Sequence, residues 1–476
     1  MKSGHGRNSV ATNIIHLLYS TAFSSVLNAT ALIVLASYLD AHYYGLFSVA
    51  LAMALIMAFF TDIGLSDIAL REGSKIDANI SDILSSYIRL RFWLVLVTLC
   101  IGFLVIYFTY QDQMDLLVAS FCLITPMVIG VTLQSFGVTY FQLIEKMQYM
   151  GLIRIISAVL LFVSISIGML LSLSPIILTT LYGMSYLIGG IFAAILVLRQ
   201  IKISLKSKFH KGLYHKLGSF TLGGLLFVII PQMGPLLLEK TVTLVEVGLF
   251  AVAYRIPQAL QKLPFIVAGA YYPVLFRYYN QKKYDDHLDI HIKQVKIMSV
   301  LGMVMLLPLY YFSESIIRIL FGEEWISATI PLKILSLMLL LQAVNIALAD
   351  GLTSISRQNS RTIIQVIAVI VGIGLYLPFS AYWGVTGAAI AGVSVEVVML
   401  IGFWGCLPSK IEMAKKALIP YVSSMFGSLL VFELIFKNYL WVGLIGNLVF
   451  VGIILYLDKA AFAKFVSFRI RLQSMI

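Results

Sequence analysis

Arg255, Gln258 and Lys262 stand at i, i+3 and i+7 in an otherwise apolar stretch, the spacing that stacks three side chains on one helical face. Gln261 is adjacent, and Pro257 and Pro264 bracket the group. A cationic stripe of this kind inside a membrane calls for an anion, with phosphate or diphosphate the natural match for guanidinium and ammonium donors. The alternative is an internal ion pair with an acid on another helix, such as Asp62 or Glu396, and the residues alone leave both open.

Acids form a second set. Asp62 and Asp67 precede Arg71-Glu72, with Gly64 between them as a point of close packing or local bend. Asp62, Asp350 and Glu396 all fall within apolar runs. Ionisable groups at that depth are costly and therefore functional candidates, here as carriers of a coupling H+ or Na+. Asp62 has the plainer alternative of pairing with Arg89 or Arg91. Glu433 is a weaker candidate of the same type. Glu314 and Arg318, an i, i+4 pair with the acid first, read as structural.

The elements that must hold these groups follow from composition. Hydrophobic residues make up 60% of the 476 and charged residues only 12%, with mean hydropathy +0.95, which excludes a soluble fold. Apolar runs of about twenty residues match a hydrocarbon core of ~30 Å. They predict helices over 13–37, 46–68, 87–110, 116–141, 150–172, 176–198, 218–238, 248–275, 297–320, 330–354, 362–380, 385–407, 417–436 and 441–457. The first run is as long as a spanning helix, so no cleavable signal peptide is expected.

Of the 34 Lys and Arg, 28 fall in alternate connections, which puts both termini in the cytoplasm. The other six are Lys240, Arg255, Lys262, Arg318, Lys333 and Lys437. The net charge of +12 is therefore topogenic, and no basic patch interleaved with aromatics suggests nucleic acid. Cys100, Cys122 and Cys406 are isolated and lack metal-ligand spacing. Walker loop, dinucleotide fingerprint, HExxH and nucleophile elbow are all missing, so neither an enzyme nor nucleotide-powered transport is indicated, and no cofactor is expected.

Gly45-Leu46-Phe47-Ser48-Val49-Ala50 recurs as Gly248-Leu249-Phe250-Ala251-Val252-Ala253, at an offset of 203 residues and six helices. An even number of helices makes the repeat parallel. The expected fold is all-α and polytopic, with about fourteen transmembrane helices: two six-helix lobes in a pseudo-symmetric parallel repeat plus two C-terminal helices. The boundaries are an N-lobe at 1–198, a basic cytoplasmic linker at 199–217, a C-lobe at 218–407, and helices thirteen and fourteen with a cytoplasmic tail at 408–476.

Tyr43-Tyr44-Gly45-Leu46-Phe47-Ser48, then Asp62-Ile63-Gly64-Leu65 and Arg71-Glu72, resembles the start of Wzx-type polysaccharide-biosynthesis flippases. These belong to the multidrug/oligosaccharidyl-lipid/polysaccharide exporter superfamily. Val247 to Arg255, Tyr272-Pro273-Val274-Leu275, Leu320 to Trp325, Arg357-Gln358 and Trp383 to Ala391 resemble later landmarks in the same order. The resemblance implies a bacterial inner-membrane transporter, not an enzyme, moving an undecaprenyl-diphosphate-linked oligosaccharide (an O-antigen repeat unit or similar) by alternating access. In that frame Arg255 and Lys262 contact diphosphate or acidic sugars, and Gln258 and Gln261 bond hydroxyls. Arg71, Arg89, Arg91 and Arg154 line the cytoplasmic entrance. The partners implied are membrane lipids, a polysaccharide polymerase and a chain-length regulator, with no nucleic acid. Within the superfamily a peptidoglycan lipid-precursor flippase or a drug/cation exporter competes; outside it, an O-antigen polymerase or ligase. The cationic stripe disfavours a drug/cation exporter, and short outer loops disfavour an enzyme.

Overall fold

The structure is a computed structural model that describes residues 10–75, 78–203, 209–214, 217–435 and 441–457. Lys2, Arg7, Lys206, Lys208, Lys216, Lys437 and the four cations beyond Leu457 lie outside the described residues, as does the side chain of Glu433. Among the described residues all regular structure is helical. Its helices are α1 (Val10–Tyr38), α2 (Ala41–Phe60), α3 (Leu65–Gly73), α4 (Ile80–Tyr110), α5 (Met114–Leu143), α6 (Met147–Leu170) and α7 (Pro175–Leu198). They continue with α8 (Leu217–Leu238), α9 (Leu244–Leu260), α10 (Lys262–Asn280), α11 (Tyr284–Tyr311), α12 (Ser313–Leu320) and α13 (Thr329–Ser354). The series closes with α14 (Gln358–Gly405), the single turn α15 (Lys410–Met413), α16 (Ile419–Ile435) and α17 (Trp441–Leu457).

Helices that satisfy their own backbone are the form in which an open chain crosses hydrocarbon. Among the described residues eleven are long and apolar enough to do so. One of them, α14, has 48 residues, about twice what one crossing needs. Gly384 splits it, at φ 56° and ψ −137°, a conformation essentially reserved for glycine. Counted as two legs, and with the 17-residue helices α16 and α17, the apolar segments number fourteen. The break falls between the expected helices 362–380 and 385–407.

Three expected helices differ in detail. The second is two, α2 and α3, because Gly64 at φ 86° turns the chain between them. The eighth is interrupted after Leu260, where Pro264 has no N–H for the Leu260 carbonyl. The ninth begins at Tyr284 rather than 297, because His287, His291 and Gln294 in its polar first half are buried within the protein rather than facing lipid. It ends at Tyr311, and the expected remainder is α12, a separate amphipathic turn. There Arg318 bonds Glu314 at 3.2 Å and Glu323 at 3.0 Å, bearing out the structural reading of that pair.

By contacts the chain forms two units, residues 1–251 and 252–476. This division falls inside α9, whereas the repeat divides the chain at the basic linker. The reason lies in unit one, which holds α8 against α2 and the first turns of α9 across α2. The α2–α9 crossing is reciprocal. A Cβ on Gly45 would meet the Leu244 carbonyl oxygen at 1.9 Å, and a Cβ on Gly248 would meet that of Ala41 at 2.0 Å. Residues 41 and 244, like 45 and 248, stand at the repeat offset of 203, so equivalent positions of the two repeats face each other across a local two-fold.

Unit one has a core around Leu65, Ile83, Tyr87, Phe136, Phe141 and Leu213, which joins α3, α4, α5 and the returning end of the linker. Unit two has one around Met303, Leu307, Leu340, Tyr421, Phe450 and Ile454, which ties α16 and α17 to α11 and α13. In unit two α13 is the buried helix, and its polar side chains therefore meet protein partners.

Candidate functional site

The stripe sits at the α9–α10 joint of unit two. Arg255 Nη1 donates to Gln258 Oε1 at 3.1 Å, so the i, i+3 spacing is a real contact. Pro257 and Pro264 each withhold a backbone donor, and α9 and α10 meet at Gln261, whose backbone stays right-handed helical and whose N–H reaches the Pro257 carbonyl at 3.0 Å. Arg255, Gln258 and Gln261 are half-buried. Lys262, the first residue of α10, is exposed and forms no ion pair among the described residues. It lies within one apolar helical span, Leu244–Asn280, a few residues past Arg255 and Gln258.

Each acid named as a partner for the stripe has partners within its own unit. Asp62 Oδ1 lies 3.8 Å from Arg91 Nη1. Arg91 is 2% exposed and also donates to the Thr61 carbonyl, to Thr61 Oγ1 at 3.1 Å and to Tyr87 OH at 2.6 Å. Its fork is thus occupied in unit one, where the sequence placed it at an entrance. Asp62 in turn accepts from the N–H and hydroxyl of Ser66, both at 3.0 Å. Glu396 is 2% exposed and accepts from Gln342 Nε2 at 2.7 Å and Asn345 Nδ2 at 2.8 Å. Asp350, 8% exposed on α13, accepts from Gln294 Nε2 at 2.8 Å, within electrostatic reach of Arg361 and Tyr272. The three acids proposed as ion carriers thus occupy three separate settings.

The other expected entrance arginines have distinct partners. Arg71, at the end of α3, lies 3.4 Å from Glu72. Arg89 on α4 reaches the Ser85 carbonyl and Ser86 hydroxyl, with its guanidinium over the Phe209 ring. Arg154 on α6 donates to Thr21 Oγ1 at 2.7 Å. Two features escaped the sequence reading. One is Glu72, 5% exposed, which accepts from Lys75 and lies 3.3 Å from His210 Nε2, fastening the linker to α3. The other is the amide pair Gln342 and Asn345, visible as i, i+3 polar positions in an apolar run had amides been weighed beside acids.

The model of the polysaccharide biosynthesis protein family matches residues 10–279, more than half of the chain. The chain belongs to that family. Among solved structures it is similar to one described as lipid II flippase MurJ in an inward closed conformation. The TM-score is 0.64 at 16% identity, covering 95% of this chain and all of that one. It is also similar to an inward-facing multidrug resistance MATE family transporter of the MOP superfamily, with TM-score 0.67, 14% identity, and 82% and 95% covered. A third similarity is to a MOP superfamily transporter from Pyrococcus furiosus, whose description notes a reversed polarity of the binding pocket; the TM-score is 0.60 at 15% identity, with 87% and 99% covered. No curated protein matches the chain. Family and fold together describe a member of the polysaccharide biosynthesis protein family with the fold seen in the lipid II flippase and MATE transporter structures.

Proposed function

We propose that this chain is a flippase of the bacterial inner membrane, both termini cytoplasmic, carrying an undecaprenyl-diphosphate-linked oligosaccharide from the inner to the outer leaflet by alternating access. The observation that supports this reading best is the Arg255–Gln258–Lys262 stripe at the α9–α10 joint. Pro257 and Pro264 in this span withhold the helical donors of the Ala253 and Leu260 carbonyls, which is tolerated where a wet cavity is lined. Two cations there suit the diphosphate, with Arg255 oriented by Gln258 for fork-like bonding and Lys262 as a mobile point charge. Gln261 and Gln258 supply amide donors and acceptors for sugar hydroxyls. Arg71, Arg89 and Arg154, on three helices of unit one, receive the headgroup on the cytoplasmic side. Arg91 has a structural task in the observed arrangement.

A drug or cation exporter would set acids toward its cargo, whereas Asp350 and Glu396 are turned into the protein and Asp62 lies beside Arg91. A peptidoglycan lipid-precursor flippase shares the diphosphate, so the stripe suits it too, and deletion of the gene separates the two. Lipid-linked repeat units accumulate on the cytoplasmic face if the first reading holds, and peptidoglycan precursor if the second does.

Each charge-assisted bond to the cargo contributes about 1.5–3 kcal/mol, so Arg255→Ala and Lys262→Ala should each lower glycan export roughly 10- to 100-fold. Wild-type export by both variants at normal protein abundance removes the stripe from the mechanism.

A further inference from the structure

Glu396 lies in the second leg of α14, inside unit two, with 2% of its surface exposed. Each carboxylate oxygen takes one amide N–H: Oε1 from Gln342 at 2.7 Å and Oε2 from Asn345 at 2.8 Å. No described Lys, Arg or His forms an ion pair with it. The other titratable groups that face it are the phenols of Tyr254 on α9 and Tyr376 on the first leg of α14, with Arg255 acting on Tyr254 from the same turn. Amides and phenols carry no charge to offset a carboxylate's, and a buried charge without a counter-charge is strongly disfavoured.

Something must neutralise this group, and the two amides show what. Asn345 Nδ2 donates both to Glu396 Oε2 and, at 2.9 Å, to the Glu396 backbone carbonyl. Turned over, its Oδ1 would confront two acceptors, so its orientation is fixed with nitrogen toward the site. A sodium ion requires several oxygens. Asn345 turns its oxygen away, and that Oδ1 is buried without a hydrogen bond. Gln342 makes a single bond to the carboxylate, and its Oε1 is likewise buried without a donor. It is an amide acceptor beside the carboxylate that a carboxylic O–H can use once the amide turns.

We propose that Glu396, Gln342 and Asn345 form a proton-binding site. In the ionised state Gln342 presents Nε2 to Glu396 Oε1, as observed. When a proton binds Oε1, the Gln342 amide turns over, its Oε1 accepts the new O–H, and Asn345 continues to hold Oε2. Protonation thus removes the charge and flips one amide on α13, giving unit two two discrete hydrogen-bonded states. In a transporter such a site carries the coupling proton; that last step rests on the function proposed above, whereas the site itself does not.

Infrared titration of the purified full-length protein in lipid tests the site without any cargo. The expected result is a carboxylic C=O band in wild type that Glu396→Gln removes. It persists when sodium replaces potassium in the buffer, and Gln342→Leu moves its midpoint by about one pH unit. A spectrum in which Glu396→Gln changes nothing overturns the proposal. A band abolished by sodium makes this a sodium site and overturns it equally. In cells, Glu396→Gln should remove the dependence of glycan export on the proton gradient. If the band behaves as expected but the deletion strain accumulates no lipid-linked glycan, the cargo reading fails and the proton site stands.

Discussion

Arg91 and Arg71 carry the same charge on neighbouring helices, and their surroundings give them different work. Arg91 is enclosed, with its fork divided among Thr61, Tyr87 and Asp62, while the Arg71 side chain is 38% exposed beside Glu72. Removing one partner of a buried network strands the rest, at about 3 kcal/mol, whereas the half-exposed Arg71 leaves the buried Glu72 with Lys75 and His210. Arg91→Ala should therefore lower the thermal unfolding midpoint of the detergent-solubilised protein markedly. Arg71→Ala should leave it nearly unchanged. Equal effects would mean that the Thr61–Tyr87–Asp62 set does not hold unit one together. The sequence showed that Asp62 had a candidate partner in Arg91, because both lie near one end of consecutive apolar runs. It did not show Thr61 or Tyr87, since hydroxyls inside apolar helices usually bond their own backbone and give no outward signal. Gln342 and Asn345 were missed for a related reason: hydropathy penalises an amide less than an acid, although burial in hydrocarbon demands a partner for either.

Among the elements, the spans were legible because the bilayer imposes one length on all of them, and Gly384 breaks α14 where the two expected helices part. Boundaries failed where a helix extends past the apolar run with polar residues buried on another helix, as α11 does from Tyr284. The repeat was also legible, but an offset of 203 residues says nothing of where its copies lie. The structure sets Gly45 and Gly248 in one reciprocal crossing, each against the carbonyl of the other's first helical residues. That geometry predicts coupling. Gly45→Ala or Gly248→Ala alone must separate α2 from α9, costing about 1–3 kcal/mol by overpacking. Once the helices have moved apart, the second alanine finds space, so the double variant should be less destabilised than the sum by about 1 kcal/mol or more. Additive losses in thermal unfolding of the two single variants and the double would show that the two contacts are independent rather than one two-fold contact.

At the scale of the whole molecule, the sequence expects basic residues in alternate connections, and each unit has a cleft at one set of them. Unit one has an open cleft of about 440 Å³ lined by Asp112, Asp115 and Glu239, next to the Tyr110–Glu239 hydrogen bond at 3.1 Å. Unit two has one of about 430 Å³ lined by Lys410, Lys415 and Lys416 together with Glu412, which pairs with Lys416. By helix order the first lies in odd-numbered connections and the second in an even-numbered one, the alternation that assigns Lys and Arg to the cytoplasm. Fourteen crossings return the chain to the side on which it starts; thirteen or fifteen would not. The count rests on α14 being two crossings, because a single one would place Lys410 to Lys416 opposite to Arg199 and Lys202. Single cysteines at Asp112, Lys282, Ala381 and Lys415, in a protein with Cys100, Cys122 and Cys406 replaced by serine, decide this in intact cells with a membrane-impermeant thiol reagent. Asp112→Cys and Ala381→Cys should label from outside, the latter because it lies beside the Gly384 break between the two legs. Lys282→Cys and Lys415→Cys should label only after permeabilisation. Labelling of Lys415→Cys from outside would make α14 one crossing, reverse every helix after it, and remove the even count on which the placement of both termini depends.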